Sequence, residues 1–563
     1  MRNSVFLLLL VTIHFAHAQK EVIFSAMQDE MQRNLNELEK DGNAPFYISY
    51  SLSNATWQSV SALFGSITSS KEQRIKGWNS RVMVGDYQIN DENYQDKGDY
   101  DVSYLSYPAI PLEDDYQAIR RFFWIATNNI FEEANRLYKS KIENIKRYAL
   151  EYPLADFDQT PVEKLEVTNP VQPEKMEVVE SFMKEISAVF NDYEKVFRSD
   201  ISWNAINGEI YFHNSEGTTY QIPHNSVALV IRVDMLSESG SFKNDVLTFF
   251  DADPRNVLDN KKEIKDKIAQ MVQALTQRVS AQNTIEDFYG PVLITEELSA
   301  SFFADNLLMN QQIGAKREPL SINSKQQALN YFQNIKKNHE AEERIASSGI
   351  NIYAIPKAGT FNGKRLLGQV LIDGEGVVPP DTLLICQNGK LIERLNSRTP
   401  SAKAYRSNGH YLNGLAYGTL FRALSPSNLL IESKTKSTYK ELKKLLVENI
   451  VNEELEYGLI IKPAYPGSKT LVTFTKVFQD GKEEEVFGST PNFLQNNILK
   501  RIVGTGSDMT ISHNPGNYSE YARNYSLICP ESLLVKGFEI KGQDGYLYNE
   551  SYLPSIPMPD RKP

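Results

Sequence analysis

The segment GPVLITEELSASFFADNLLMNQQ, residues 290–312, divides the chain into two differently patterned parts. Its first residues form a short apolar run typical of a buried strand, and the apolar stretch after Glu296-Glu297 predicts a short helix. Acidic residues ahead of a helix interact favourably with its N-terminal dipole. Long helical and strand patterns precede the segment, whereas strands with turn residues follow it. We therefore expect a domain boundary at about residue 289.

The part before the boundary, residues 19–288, combines long amphipathic stripes with alternating strand patterns. Helices are predicted over 21–40, 114–152, 177–196 and 258–281, and strands over 45–70, 80–89 and 201–236. The Asp- and Tyr-rich residues 85–115 indicate a long surface loop, and the proline-rich residues 153–176 a linker or crossover. Residues 289–563 read mainly as strands, with one clear helix over 437–454.

The N-terminus MRNSVFLLLLVTIHFAHAQK has the order of a secretory signal peptide. Arg2 gives the positive region, Val5–Ile13 the apolar core, and Ala16-His17-Ala18 the small-residue cleavage site. Residues 1–18 are therefore expected to be removed, which predicts a periplasmic or extracellular protein. No other segment has about 18 consecutive apolar residues, so we expect no membrane span in the mature chain.

Charge and cysteine content exclude some classes of function. The net charge of -11 argues against a nucleic-acid-binding surface, because such a surface needs clustered Lys and Arg. The 563 residues suggest two or three domains. Cys386 and Cys529 are consistent either with one disulfide or with two buried free thiols. The absence of CxxC from the sequence excludes a zinc ribbon.

The sequence contains no complete catalytic motif. His339-Glu340 resembles the start of a zinc-protease helix, but Glu343 and Arg344 stand where a second His is needed. The surrounding alternation of opposite charges favours a solvated helix. His213 and His224 lie on neighbouring predicted strands, and an unrecognised site involving both remains an alternative. No GxSxG or P-loop sequence is present, so no catalytic or metal-binding residue is predicted.

Several stretches together resemble the TldD/PmbA family, whose TldD and TldE members are labelled modulators of DNA gyrase and regarded as metalloprotease components. The order and spacing of these stretches match over most of the mature chain, except for an insert at about residues 86–175. The resembling stretches are His213–Gly217 (HNSEG), Gly290–Leu293 running into Ala300–Phe303, Leu371–Leu391 (LIDGEGVVPPDTLLICQNGKL), the helix 437–454, and Ile502–Asp508.

The resemblance implies an α+β fold, with an N-terminal α/β domain, a mainly antiparallel β C-terminal domain, and association as a heterodimer. TldD-type members carry His-Glu-x-x-x-His on the helix after the Gly-Pro strand. In this chain Ala304, Asp305 and Met309 fall on those positions, so no metal ligand is retained. TldE-type members likewise lack the motif.

The sequence therefore leads to one main expectation and two alternatives. The main expectation is an exported, TldE-like subunit without catalytic residues or a cofactor of its own. It would act on peptides together with a TldD-like partner that holds zinc, or would self-associate. The alternatives are a free-standing peptidase or hydrolase with an unrecognised site, and a cell-envelope binding or scaffold protein that retains only the fold.

Overall fold

The structure is a computed structural model in which helices pack against three six-stranded sheets. It describes residues 21–96, 109–167, 171–236, 242–280, 285–309, 312–315, 317–322, 324–340, 342–401, 404–413, 422–488, 490–515 and 524–542. The expected signal peptide and the proline-rich C-terminal residues 543–563 lie outside these ranges. Among the described residues, no helix is both long enough and apolar enough to cross a lipid bilayer.

The helices are α1 (21–37), α2 (Tyr116–Tyr148), α3 (Met176–Ala188), α4 (Pro254–Asp259), α5 (Lys261–Ser280), α6 (Glu297–Ala304), α7 (Lys325–Glu340) and α8 (Tyr439–Asn452). The strands of the first half are β1 (Pro45–Leu63), β2 (Ser66–Val84), β3 (Tyr94–Gln95), β4 (Lys164–Glu166), β5 (Val196–Asn214), β6 (Thr219–Leu236), β7 (Phe242–Asp251) and β8 (Phe288–Thr295). Those that follow are β9 (Leu320–Ser321), β10 (Ile350–Ala354), β11 (Thr360–Phe361), β12 (Lys364–Arg365), β13 (Leu383–Gln387), β14 (Lys390–Leu391), β15 (Tyr411–Asn413), β16 (Arg422–Leu424), β17 (Asn428–Ser433), β18 (Tyr457–Pro463), β19 (Val472–Phe478), β20 (Glu483–Phe487), β21 (Ile502–Thr505), β22 (Met509–His513), β23 (Ser526–Pro530) and β24 (Ser532–Ile540).

The first sheet is built from very long strands in the order β2-β1-β5-β6-β4, with β7 also paired to β6. Strands β1, β2 and β5 each have 19 residues and β6 has 18. The β1–β2 turn places Phe64 and Gly65 at φ 47° and 83°, the two positive values that a type I′ hairpin turn requires. Helices α1 and α2 cover one end of this sheet, and α3 and α5 cover the other.

Two further sheets form the rest of the chain, in the orders β14-β13-β10-β17-β23-β22 and β20-β19-β18-β8-β24-β21. Their pairings are antiparallel except for β17 with β23 and β18 with β8. A shared core cluster joins the two sheets and includes α6. Helix α8 covers the other face of the sheet that contains β8 and β18. A capping box of Thr438 and Glu441 fixes the start of this helix. This architecture confirms the expected α+β class.

Most predicted helices and strands are present, with bounds that shift by a few residues. Strand β7 was not predicted. Residues 153–176 do cross between α2 and α3, but they are more than a linker, because Asp156 is buried and bonded to Lys141 and Arg317. The boundary expected at residue 289 stays a prediction, although every strand of the first sheet precedes it.

The stretch KKNHEAEERIA, residues 336–346, is helical only as far as Glu340. The side chains of residues 336–340 lie outside the described part. Beyond the helix, Glu342 pairs with Lys390 and Glu343 with Arg394, while Ile345 is buried. The prediction of one continuous solvated helix is therefore wrong, because these acids pair with the β13–β14 hairpin and the irregular segment after it rather than along a helix face.

Candidate functional site

Helix α6 is the element on which the family resemblance places a metal, and here it is a core helix. It follows β8, an internal strand of its sheet, and Leu298–Ala304 are all buried. A helix that is apolar on all sides has to be buried on all sides. Glu296 before it has φ 57° and ψ −140°, a sparsely populated backbone conformation that holds the sharp turn between strand and helix.

The residues at the family's ligand positions do not fit a zinc ion. Ala304 is fully buried and has no donor atom, and Met309, 44% exposed, offers only a thioether. Asp305 is buried in a π turn that continues the helix. Within the described residues, no group of three or more His, Cys, Asp and Glu side chains is placed to hold a metal.

Cys529 is the thiol beside α6, and it belongs to no group of three or more possible metal ligands among the described residues. Its Sγ lies 3.5 Å from the hydroxyl of Ser299, and burial raises its pKa to about 12. Cys386 is also a buried free thiol, which resolves the two alternatives for the cysteine pair in favour of free thiols.

The structure separates His213 from His224. His213 pairs with Thr219 across the β5–β6 ladder, whereas His224 pairs with Gly208. The two histidines are thus five positions apart along the ladder and on opposite faces of the sheet. His224 instead contacts Ser53, with 2.9 Å between Nδ1 and Oγ. A catalytic or metal site combining both histidines is therefore excluded by this fold.

His410 and Ser427 form a contact that the sequence did not indicate. Nδ1 of His410 lies 2.8 Å from the carbonyl oxygen of Asn408, and its Nε2 lies 3.4 Å from Oγ of Ser427. Both His410 and Ser427 are fully buried, and burial lowers the pKa of His410 to about 4. Both side chains are buried and have partners in each other and in Asn408, so the pair serves as a core hydrogen-bond network.

Two of the family-like motifs meet in a buried ionic junction between the first sheet and the later loops. Arg398 donates to both carboxylate oxygens of Glu216 at 2.6 Å, while its main-chain N–H donates to Glu375. Glu375 also accepts from Arg81, which pairs with Glu92. The HNSEG turn supplies Glu216 and the DGEG turn supplies Glu375, so these motifs build a structural joint. No sequence signal identified Arg398 or Arg81.

Comparison with known proteins gives matches among solved structures only. The chain matches no protein-family model and no curated protein sequence. TldE from Thermococcus kodakarensis is 12% identical, covering 92% of this chain and 100% of that one, at a TM-score of 0.49. The chain is similar in fold to TldE. Two proteins described as candidate modulators of DNA gyrase also match.

The first of these, from Bacteroides thetaiotaomicron, is 12% identical and covers 93% of this chain and 99% of its own, at a TM-score of 0.49. The second, from Thermotoga maritima, is 14% identical and covers 90% of this chain and 100% of its own, at a TM-score of 0.48. These structural neighbours are TldD/PmbA-family proteins, the family that the sequence motifs resemble. At such identities the similarity to TldE concerns the fold.

Proposed function

We propose that this chain is an exported, non-catalytic TldE-like subunit. It pairs with a TldD-like relative that holds zinc, and it helps to enclose or position peptide substrates for that partner. The chain itself contributes no zinc ligand, no nucleophile and no general base to the reaction. Export rests on the signal-peptide order of residues 1–18, and the family assignment rests on the five sequence motifs and their spacing.

The observation that carries the proposal is the composition and packing of α6. A TldD-type helix needs two imidazoles and a carboxylate facing a cavity, with water at an open position on the metal. Here that turn of helix has the Ala304 methyl group in the same core cluster as Phe302 and Phe303. A helix packed in this way stabilises the fold and leaves the chemistry to a partner.

Co-expression tests the proposal. A tagged copy of this chain is produced with an exported homologue that carries His-Glu-x-x-x-His, taken from a neighbouring reading frame, and the purified material is analysed for composition and zinc. We expect a complex with about one zinc per pair and peptidase activity that this chain alone lacks. A matched control replaces the first His of the partner motif by Ala, which should abolish zinc binding and activity but retain the complex.

The alternatives predict different results in the same experiment. Stoichiometric zinc and peptidase activity in this chain by itself would contradict the proposal and favour a free-standing enzyme. Failure to bind any such homologue, with neither zinc nor activity, would favour a binding or scaffold protein that kept only the fold.

A further inference from the structure

One face of the first sheet carries a polar band between its two apolar ends. On this face of β1, Leu52 belongs to the core cluster that includes α1 and α2, and Val60 belongs to the core cluster that includes α3 and α5. Between them, at alternate positions, stand Asn54, Thr56 and Gln58. An apolar strand face interrupted by three polar residues in succession is unexpected for a sheet covered by helices, so the band needs its own explanation.

The strand register extends this band across four strands. Thr56 is opposite Asn207 of β5, which is in turn opposite Asn225 of β6. Arg74 of β2 is opposite Thr56 on the other side. Because directly paired residues share a face, these side chains form one polar row at the middle of the sheet. Thr56 and Asn225 are half-buried and Arg74 is exposed, so solvent reaches the row.

Asn207 at the centre of this row is the anomaly. It is 4% exposed, and neither its Nδ2 nor its Oδ1 has a hydrogen-bond partner among the residues that the structure describes. The neighbouring Gln58 is fully buried, and its Oε1 is also unpaired. Buried polar groups are nearly always bonded, and each exception calls for an explanation such as an absent ligand. Two acceptor oxygens and one amide group therefore lie unpaired together in the buried middle of the row.

The chain's own crossover segment shows what this row recognises. Nε2 of Gln58 donates to the main-chain carbonyl of Glu174 at 2.6 Å. Asn225, oriented to satisfy both of its amide atoms, accepts from the main-chain N–H of Val171 at 3.3 Å. Amide side chains at both sides of Asn207 therefore already bind extended main chain. Only the central amide lacks such a partner.

We propose that the row formed by Gln58, Asn207 and Asn225 is a binding site for the main chain of an extended peptide. A peptide group offers one N–H and one carbonyl oxygen, which match the unpaired Oδ1 and Nδ2 of Asn207. The identification of the ligand as a peptide rests on the proposed function, and it gives this subunit a direct part in holding substrate, away from α6.

A pair of leucine variants tests the site. The purified chain is titrated into fluorescein-labelled acetyl-Ala-Ala-Ala-Ala-Lys amide, with the dye on the lysine, and anisotropy is recorded. We expect Asn207→Leu to weaken binding at least tenfold. Asn204→Leu is the matched control, since Asn204 is exposed on the same strand and its opposite face. It should leave binding unchanged.

Thermal melting of the same variants supplies the second readout. Leucine has the same branching and the same number of heavy atoms as asparagine and leaves no unpaired polar atom, so Asn207→Leu should melt at a temperature close to that of the wild type or higher. A large fall in melting temperature of both Asn207→Leu and the smaller Asn207→Ala would overturn the inference, because it would mean that the amide is already satisfied. Asn207→Ala is measured in parallel, so that a folding failure of the leucine variant does not decide the binding result.

Two binding results would overturn the site: no binding of the peptide by the wild type, or equal binding by the wild type and by Asn207→Leu and Asn207→Ala. Either result leaves the co-purification with a zinc-bearing partner unaffected. Conversely, failure to find that partner while Asn207-dependent peptide binding holds would reject the proposed function and retain the site.

Discussion

Arg398 and Glu216 form a two-bond ion pair, with both guanidinium–carboxylate distances at 2.6 Å. The Arg398 side chain is fully buried and also donates to the main-chain carbonyl of Asp158. Its guanidinium lies over the ring of Phe157, 4.0 Å from the centroid. One arginine from an irregular stretch thus fixes the end of the β5–β6 hairpin and the crossover segment together.

Removing this arginine should destabilise the protein strongly. Arg398→Met leaves the Glu216 carboxylate without its partner, and breaking a buried pair costs about 3–5 kcal/mol. Urea unfolding followed by circular dichroism measures the change. Arg255→Met is the matched control, because Arg255 pairs with Asp253 while 62% exposed, and such exposed pairs contribute little to stability. Equal losses in the two variants would contradict the role of Arg398.

Gly376 should be required for packing as well as for its backbone conformation. Its φ is +82°, and a Cβ atom there would lie 2.7 Å from Cγ2 of Thr218 and 3.1 Å from Phe212. Gly363 has a similar φ of +75° but open space around it. Gly363→Ala should therefore cost about 1–2 kcal/mol from backbone strain alone.

Gly376→Ala adds a steric cost of about 1–3 kcal/mol to that strain. Comparing the unfolding free energies of the two variants separates the contributions. If Gly376→Ala destabilises no more than Gly363→Ala, the DGEG turn is not closely packed against the HNSEG hairpin. The comparison separates steric cost from backbone strain, because both glycines have a positive φ and only Gly376 has close neighbours.

The helices and strands with a clear hydrophobic periodicity could be predicted from the sequence. The helices around α2, α5 and α8, the long strands β1 and β6, and the strand–helix step into α6 follow from spacings of 3.6 and 2 residues. The capping box of Thr438 and Glu441 was not part of the prediction, although it too is a local sequence pattern. These features are set locally, so a single sequence contains enough information to place them.

The contacts between irregular segments could not be predicted. Nothing in the sequence next to Arg398 distinguishes it from a surface arginine, and its partner Glu216 is 182 positions away. His410 and Ser427 are separated by a hairpin whose folding brings them together. The unpaired amide of Asn207 becomes visible only when the register of three strands is known. Tertiary packing, not sequence spacing, decides each of these relationships.

Introducing the TldD-type metal residues into α6 should not create a zinc site. The triple variant Ala304→His, Asp305→Glu, Met309→His inserts an imidazole into a fully buried, apolar position. Overpacking costs about 1–3 kcal/mol, and an unpaired buried ring nitrogen adds about as much again. We expect a destabilised protein with no stoichiometric zinc by elemental analysis.

Met309→His alone is the control for this variant, because Met309 is 44% exposed and such substitutions change stability by about 0.5 kcal/mol or less. A stable triple variant that retains one zinc per chain would show that the α6 region can open into a metal cavity. That result would contradict the part of the proposal that rests on the packing of α6.

Acid should destabilise the protein partly through His410. Burial lowers the pKa of His410 to about 4, below the usual value of about 6.5 in an unfolded chain. Between these two values the unfolded chain binds the proton and the folded chain does not. The stabilisation is therefore present above about pH 6.5 and is lost as the pH falls towards 4, by about 3 kcal/mol at most.

His410→Asn isolates this contribution. The asparagine amide retains a donor for the carbonyl of Asn408 but does not titrate, so the variant should lose less stability than the wild type between pH 7 and pH 4. Urea midpoints measured at half-unit steps for both proteins give the difference directly. Buried carboxylates titrate equally in the two proteins and cancel in that difference. Parallel curves over the whole range would mean that His410 is protonated in the folded state, and the fully buried His410–Ser427 network would then need a counter-charge.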